Sequence, residues 1–259
     1  MTAPAAFDAA SVIIAKNTAG SGFQILLIAR HPASRFAAGQ YAFPGGRIEP
    51  EDGAPGVELH CRGLTNKSAA TMLALQESSQ PLRFWVAAIR EVFEEVGLLY
   101  ACGTDGRLVG PERDQSVERQ GAVKGESGSF LKMIQAHGLQ LALDRLHYFA
   151  YWITPEERPL RFTTRFFVAP APPEQDVLLD TRESTDFRWL SPGEALAENR
   201  RGNLPLHFPT IKLLEELSRF ADSDALLAST KSKAIQPIMP RLVVEGGEER
   251  LLLPTDPGY

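Results

Sequence analysis

This chain of 259 residues has only two cysteines, no excess of basic residues and no apolar run of membrane-spanning length. Cys61 and Cys102 are too few for a disulfide framework or a four-cysteine zinc site, so both are expected to be free thiols in a reducing cytoplasm. The net charge of −5 argues against a nucleic-acid partner, which normally needs a basic face. The lack of a long apolar run argues against a membrane partner. We therefore expect a cytoplasmic protein that binds neither nucleic acid nor membrane.

The remaining composition, 44% hydrophobic and 23% charged residues, is ordinary for a globular protein. The length suits one large domain or two small ones, and no internal repeat or low-complexity segment divides the chain. We expect a single domain over residues 1–259. Within it, three parts are expected to be accessory: an insert at about 53–82, a variable helical segment at about 107–145 and a C-terminal extension at about 235–259.

The stretch Arg90–Gly97 is the most informative part of the sequence. Read as a helix that stops at Gly97, it places Glu91, Glu94 and Glu95 on one face, because residues three and four apart are neighbours. Three carboxylates so close repel one another unless a cation lies among them, and oxygen-only ligands suit Mg²⁺ or Mn²⁺. The alternative is a solvated acidic helix face, which is the commoner meaning of an acidic triplet.

The segment upstream, Ala42-Phe-Pro-Gly-Gly46 through Asp52, changes that balance. Together the two stretches resemble the Nudix box: G, five residues, E, seven residues, then R-E-U-x-E-E-x-G-U, with U aliphatic. Gly46 fits the first glycine and Arg90–Leu98 fits the second half throughout. Asp52 stands where the pattern has Glu, and 37 residues rather than seven separate it from Arg90. Such an interrupted box resembles the branch that includes peroxisomal coenzyme A diphosphatases and bacterial relatives.

A second signature lies beside the box in coenzyme A diphosphatases: L-L-T-x-R, Ser or Ala, three residues, R, three residues, G, three residues, F-P-G-G. Ile28 replaces the Thr and His31 replaces the Ser or Ala. Two arginines five apart on a loop can fork onto phosphate oxygens, although they can equally be surface charges paired with acids. The residues that match are Leu26, Leu27, Arg30, Arg35, Gly39, Phe43, Pro44, Gly45 and Gly46.

The resemblance implies an α/β fold: an α/β/α sandwich with a mixed sheet, here with helical insertions and a C-terminal hairpin about Gly246-Gly247. It also implies a later glutamate, Glu183, six residues before Trp189, which serves some members as ligand or base; Asp186 is a lesser candidate. The implied metal ligands are Gly46, through its carbonyl, Glu91, Glu94 and Glu95. The implied catalytic residues are Arg90, Glu94, Glu95 and Glu183, and the implied substrate-binding residues are Arg30, Arg35 and Phe43.

The implied reaction is the Mg²⁺- or Mn²⁺-dependent hydrolysis of a nucleoside diphosphate linked to another group. Coenzyme A or acyl-coenzyme A is the preferred substrate, and ADP-ribose, NADH or another nucleotide is the alternative. A non-catalytic ligand sensor is a rival of a different class. It is disfavoured because the box carboxylates are kept and no basic recognition helix is present. The expected partner is a small nucleotide substrate, with a possible homodimer.

Outside these motifs the pattern predicts regular elements. Apolar runs at 11–15 and 23–30 predict a hairpin, and a mixed apolar face predicts a helix over 68–79. Aromatic-rich runs at 146–153 and 160–168 predict strands whose aromatics are expected mainly in the core. Ser191 and Glu194 form a capping-box pattern at the start of a helix.

Overall fold

A computed structural model describes residues 4–20, 22–34, 37–110 and 129–259. Its strands are β1 (Ala6–Asn17), β2 (Phe23–Arg30), β3 (Tyr41–Ala42), β4 (Gly45–Arg47), β5 (Cys61–Arg62), β6 (Ala101–Cys102), β7 (Gln140–Ala142), β8 (His147–Ile153), β9 (Arg161–Pro170), β10 (Ser184–Leu190), β11 (Pro237–Ile238), β12 (Arg241–Glu245) and β13 (Glu248–Leu252). Its α-helices are α1 (Asn66–Leu73), α2 (Arg83–Val96), α3 (Ser129–Ala136), α4 (Pro192–Arg200), α5 (Phe208–Leu217) and α6 (Ser223–Ser229).

A mixed sheet forms the centre of the fold, with the strand order β10-β2-β1-β9-β8-β11. Strand β1 pairs in parallel with β9 along ten positions, from Ala6 opposite Arg161 to Ala15 opposite Pro170. Its other edge pairs with β2 and, nearer its start, with the short strand β4, both antiparallel. The buried apolar run of β1 explains this central position, because both faces of the strand are covered. The predicted α/β fold with a mixed sheet is confirmed, as is the first hairpin.

Helices cover both faces of this sheet, so the architecture is the predicted α/β/α sandwich. Helix α2 packs on one face together with α1 and α3, around a core that contains Trp85 and Phe167. Helices α4, α5 and α6 pack on the other face, around Phe149, Phe166 and Val168. Strand residues alternate between the two cores, as the period of two requires. The two faces therefore carry separate hydrophobic layers.

Helix α2 ends where the sequence predicts. Gly97 adopts a left-handed φ of 74°, and its N–H donates to the carbonyl of Phe93. A Cβ at Gly97 would come within 2.8 Å of Leu178 Cβ, so the position excludes larger residues. The capping box of Ser191 and Glu194 at the start of α4 is also confirmed, as is the C-terminal hairpin of β12 and β13.

One local prediction is wrong in extent. The helix expected over 68–79 ends at Leu73, because Ala74 takes a left-handed φ of 52° that breaks the helical path. Of the segment 107–145, residues 111–128 lie outside the described part; the rest contains α3, a 3-10 turn at Leu143–Arg145 and strand β7, which pairs with β5 and β6 in a small second sheet. Strand β11 joins the C-terminal extension to the main sheet through β8. No helix within the described residues is long and apolar enough to cross a membrane.

Candidate active site

Arg90 of α2 contacts three carboxylates, Asp52, Glu91 and Glu94; together with Glu95 these form an acidic cluster. Its guanidinium makes a two-pronged contact with Asp52, with Nε to Oδ1 and Nη2 to Oδ2 both at 2.9 Å. Nη1 donates to Glu91 Oε1 and to Glu94 Oε2, also at 2.9 Å each, and Nη2 donates to the carbonyl of Arg47. One cation thus fixes two carboxylates of α2 and ties the helix to the loop that precedes it.

Asp52 is almost completely buried, with 1% of its surface exposed, and is held from a second side by the backbone N–H of Glu49 at 2.7 Å. Burial disfavours the charge on Arg90, but the hydrogen bond to Asp52 and the neighbouring carboxylates outweigh it and raise the pKa of Arg90. The shorter side chain of Asp52, in place of the Glu of the box pattern, therefore still reaches the arginine. Asp52 is not among the metal-binding, catalytic or substrate-binding residues predicted from the sequence. In the structure it accepts two hydrogen bonds from the guanidinium of Arg90.

Glu95 is the most deeply buried of the three helix carboxylates, with 3% of its surface exposed. Its Oε2 accepts a hydrogen bond from the backbone N–H of Gly45 at 2.7 Å, and its Oε1 lies 4.0 Å from Arg30 Nη1. Burial, followed by the charge of Glu91, raises the pKa of Glu95 well above its ordinary value. Glu95 is therefore a buried carboxyl group beside the glycine loop, and its surroundings disfavour the charged form.

Gly46 lies directly against Glu91. A Cβ at Gly46 would come within 2.5 Å of Glu91 Oε2 and 2.6 Å of Oε1, so a side chain there would displace the carboxylate. Burial raises the pKa of Glu91 to about 7; Arg90 opposes this rise, and the charges of Glu94 and Glu183 add to it. Burial likewise raises the pKa of Glu94. The close approach explains why glycine occupies this position.

The glycine loop is held in place by β1. Gly45 and Gly46 pair with Ser11 and Ala10, and Gly45 takes a φ of 149°, at which a Cβ would collide with the backbone of β1. The hydroxyl of Ser11 donates to the carbonyl of Pro44 at 2.9 Å, and the N–H of Val12 donates to the same oxygen at 2.8 Å. The loop backbone is thereby positioned by the central strand of the sheet.

Glu183 lies in the turn before β10 and is exposed. Its negative charge contributes to raising the pKa of all three helix carboxylates, so its turn borders the cluster. The turn is anchored on both sides: the carbonyl of Glu183 accepts from the N–H of His31 at 2.9 Å, and the N–H of Asp180 donates to the carbonyl of Glu95 at 2.9 Å. Asp186, the lesser candidate, instead contacts Tyr41 and Arg188.

Phe43 and Arg30 line a cavity of about 710 Å³ that also includes Gly45 and Gly46 in its wall. Phe43 is buried and meets Phe166 edge-on, with ring centroids 6.4 Å apart. The structure thus brings together eight of the nine predicted site residues or places them at the border of the cluster. The ninth, Arg35, lies outside the described residues.

Comparisons with known proteins agree with this geometry. The family model of the NUDT19 Nudix domain matches residues 3–219. The chain belongs to this family of Nudix hydrolases. Its enzymatic class is therefore that of a hydrolase of the diphosphatase type, and the sequence resemblance is confirmed at the level of the family.

Curated relatives are similar at low identity. A putative nudix hydrolase 7 of Caenorhabditis elegans is 25% identical over 93% of this chain and 70% of its own length. The acyl-coenzyme A diphosphatases NUDT19 of Xenopus laevis and Homo sapiens are 24% and 23% identical, over 80% and 92% of this chain. The chain spans 62% and 72% of these two relatives. A crystal structure of a Nudix hydrolase from Alicyclobacillus acidocaldarius matches with a TM-score of 0.68 at 22% identity, covering 90% of this chain and 99% of that one, which shows the shared fold.

Nudix hydrolases generally use divalent metal ions and bind small nucleotide-derived substrates. The donors of this Nudix hydrolase fit such an ion in kind, because Glu91, Glu94 and Glu95 offer hard oxygens whose pKa values are raised by burial and by neighbouring carboxylates. Arg90 engages two of them, and within the described residues no three His, Cys, Asp or Glu side chains form a close ligand group. The donor chemistry is therefore present, whereas a closed coordination shell is not assembled.

Several neighbours of this site were missed from the sequence. Asp52 and Ser11 act through contacts across 38 and 33 residues of chain, which no local pattern reveals. The box position of Asp52 was the available signal. The cavity wall includes Trp152 and Phe166, which the sequence assigned to the core; both are indeed buried, but they also face the cavity.

Proposed function

We propose that this chain is a divalent-metal-dependent diphosphatase that hydrolyses coenzyme A or acyl-coenzyme A. The observation that carries the proposal is the acidic cluster held by Arg90, which meets a large cavity at Gly45, Gly46 and Arg30. A reactive diphosphate placed at this junction would have carboxylates on one side and room for the rest of the substrate on the other. The names of the vertebrate relatives, acyl-coenzyme A diphosphatases, support the choice of substrate.

Mg²⁺ or Mn²⁺ would be held by Glu91, Glu94 and Glu95, with the carbonyl of Gly46 beside them. When bound, such an ion neutralises phosphate oxygens and lowers the pKa of water. The chain's own residues then have separate tasks. Arg90 holds Glu91 and Glu94 in position, and the N–H of Gly45 holds Glu95.

Arg30 would bind the phosphate oxygens of the substrate, and Arg35 would join it, as the spacing of the signature implies. Arg30 Nη1 is within 4.0 Å of Glu95 Oε1, so a phosphate bound by this arginine lies next to the acidic cluster. The proton released by the attacking water would pass to a carboxylate. Glu95, whose pKa is raised, and Glu183, in the bordering turn, are the two candidates for this base.

The reaction consumes one water and breaks one P–O bond of the diphosphate. The water oxygen is added to one phosphorus, the bridging oxygen leaves with the other, and the two protons of water are shared between the products. Coenzyme A would yield 4′-phosphopantetheine and adenosine 3′,5′-bisphosphate, and an acyl-coenzyme A would yield the corresponding acyl-phosphopantetheine.

The test is product release from coenzyme A, acetyl-coenzyme A, ADP-ribose and NADH, with Mg²⁺ or Mn²⁺, comparing the wild type with Glu95→Gln. We expect turnover of coenzyme A species and a loss of at least about a hundredfold in kcat in the variant, because one positioned acid–base or ligand carboxylate is removed. Glu77→Gln, an exposed carboxylate on a separate turn, is the matched control and should keep wild-type activity.

Other outcomes redirect the proposal. Turnover of ADP-ribose or NADH with coenzyme A untouched would keep the cluster's role and discard the substrate. If no compound is hydrolysed but one of them binds tightly, the ligand-sensor alternative would be supported.

A further inference from the structure

The cavity and the acidic cluster lie on opposite faces of the central sheet. The carboxylates project from α2, in the core layer that contains Trp85, whereas the cavity is bordered by Trp152, Phe166 and Phe208 of the other layer. They meet where β4 brings Gly45 and Gly46 between them, and where Arg30, which lines the cavity, lies 4.0 Å from Glu95. A substrate with its diphosphate at the cluster must therefore send one of its two halves into the cavity and leave the other outside.

Positive charge is scarce among the described residues of the cavity wall. Among the described residues that line it, the arginines are Arg30 and Arg158. Arg158 is bound to Glu249, with Nη2 2.8 Å from Oε2. His207 is neutral near pH 7, because burial, followed by the charge of Arg30, lowers its pKa to about 4. With Arg30 assigned to the diphosphate and Arg158 paired, the described wall offers a mainly apolar surface to its occupant.

The two halves of a coenzyme A substrate differ in charge. The nucleotide half carries a 3′-phosphate monoester, with a charge of about −1.5 to −2 at pH 7, in addition to the diphosphate. Burying such a group without arginine or lysine partners is strongly unfavourable. The pantetheine half is uncharged and ends in a thiol or an apolar acyl chain. The wall chemistry therefore favours the second half as the occupant.

We propose that this cavity binds the acyl-pantetheine arm of the substrate, with the adenosine 3′,5′-bisphosphate half remaining outside it, and that Leu251 of the C-terminal hairpin limits the length of the acyl chain. The inference rests on the proposed function and adds to it the place of the acyl-pantetheine arm and the residue that bounds it. The volume of about 710 Å³ lies within the range of sites that enclose ligands of this size.

Leu251 is placed to act as this limit. It lies on β13 opposite Leu242 and, with Pro240, contributes the hairpin's share of the cavity wall. The hairpin is attached to the β8–β9 connection by the pair Arg158–Glu249, and that connection forms another part of the wall. Leu252 follows Leu251 on the same strand and points to the other face, since side chains alternate along a strand. Leu252 is absent from the described lining, which makes it a matched control.

The first measurement is kcat/KM of the wild type for coenzyme A and for its acetyl, hexanoyl and decanoyl thioesters. Each methylene that enters an apolar site contributes up to about fourfold, so we expect a rise of tenfold or more from acetyl to decanoyl. Turnover with no dependence on chain length would overturn the inference and leave the proposed function standing. Silence with every thioester would instead be a failure of the proposed function.

The second measurement locates the arm. Leu251→Trp should narrow the cavity beside the hairpin and lower kcat/KM for the decanoyl thioester at least tenfold, a larger factor than for coenzyme A; Leu252→Trp should resemble the wild type. Equal effects of the two variants on the decanoyl thioester would overturn the inference. If Leu251→Trp fails to fold, inhibition of the wild type decides: decanoyl-phosphopantetheine should compete more strongly than adenosine 3′,5′-bisphosphate, and the opposite order would place the nucleotide in the cavity.

Discussion

The two faces of the central sheet differ in the distribution of charged and apolar side chains. On the α2 face, buried carboxylates are held by one arginine, and the pKa of Glu91 is displaced to about 7. On the cavity face, aromatic and aliphatic side chains leave a large space, and the described wall carries few charges. Under the proposed function, charge is concentrated where the diphosphate would react, and apolar surface where the acyl-pantetheine arm would be held. The reaction and the recognition of the substrate would then depend on different faces of the sheet.

This contrast predicts different kinetic signatures. A change on the α2 face should lower kcat, because it acts on the reacting groups, whereas a change on the cavity face should act mainly through KM. The proposed division between the two faces is wrong if substitutions on both faces change kcat and KM in the same proportion.

The largest effect is expected at the junction, from Gly46→Ala. The added Cβ would lie within 2.5 Å of Glu91 Oε2, so the carboxylate must move away from Arg90. A displacement of this size in a catalytic group can cost about a hundredfold, and we expect that loss in kcat. Gly193→Ala is the control, because its Cβ would meet nothing within 4 Å. Wild-type kcat in Gly46→Ala would show that the position of Glu91 does not matter for the reaction.

A second effect concerns pH and the metal. Because burial raises the pKa of Glu91 to about 7, its folded form binds more protons than its unfolded form between about pH 4.5 and 7. The contribution of Glu91 to the free energy of unfolding of the metal-free protein should therefore fall as pH rises through this window, by on the order of 3 kcal/mol. A bound divalent cation should reverse the loss, so Mg²⁺ or Mn²⁺ should stabilise the protein more at pH 8 than at pH 5.

Urea titrations at both pH values, with and without the cation, measure this difference. In Glu91→Gln the side chain cannot ionise, so the dependence on pH and on the cation should both shrink. A pH dependence in Glu91→Gln equal to that of the wild type would contradict the assignment. The cavity face supplies the contrast, because the pKa of His207 is lowered to about 4, so its unfolded form binds more protons up to about pH 6.5 and its contribution to stability rises with pH.

The same division explains what the sequence could and could not predict. Helix α2 with its stop at Gly97, the cap at Ser191 and the hairpin at Gly246 depend on neighbours within a few residues, and local patterns predict them. The family resemblance supplied the carboxylates and the glycine loop. The hydrogen bonds from Arg90 to Asp52 join parts of the chain on either side of the insert, so they could be identified only from the folded structure.

The cavity is the extreme case of this limit. Its wall draws on β1, β9, the start of α5 and the C-terminal hairpin, and each of those segments has an apolar pattern that reads as core. A buried side chain beside a cavity and one in a filled core have the same sequence pattern. Only the packing of the layers distinguishes them, which is why Trp152 was assigned to the core alone.

The smallest effect is expected from Trp152→Phe on the cavity face. Trp152 is 5% exposed, and its Nε1 has no hydrogen-bond partner among the described residues, so the substitution removes a buried N–H that gains nothing from its surroundings. The smaller ring leaves extra space, and these two terms oppose each other, so the free energy of unfolding should change by less than about 1 kcal/mol. We expect KM for an acyl-coenzyme A to change by about twofold to fivefold with kcat retained. A selective loss of kcat, with KM unchanged, would mean that the cavity face takes part in the reaction itself and that the two faces do not divide the work.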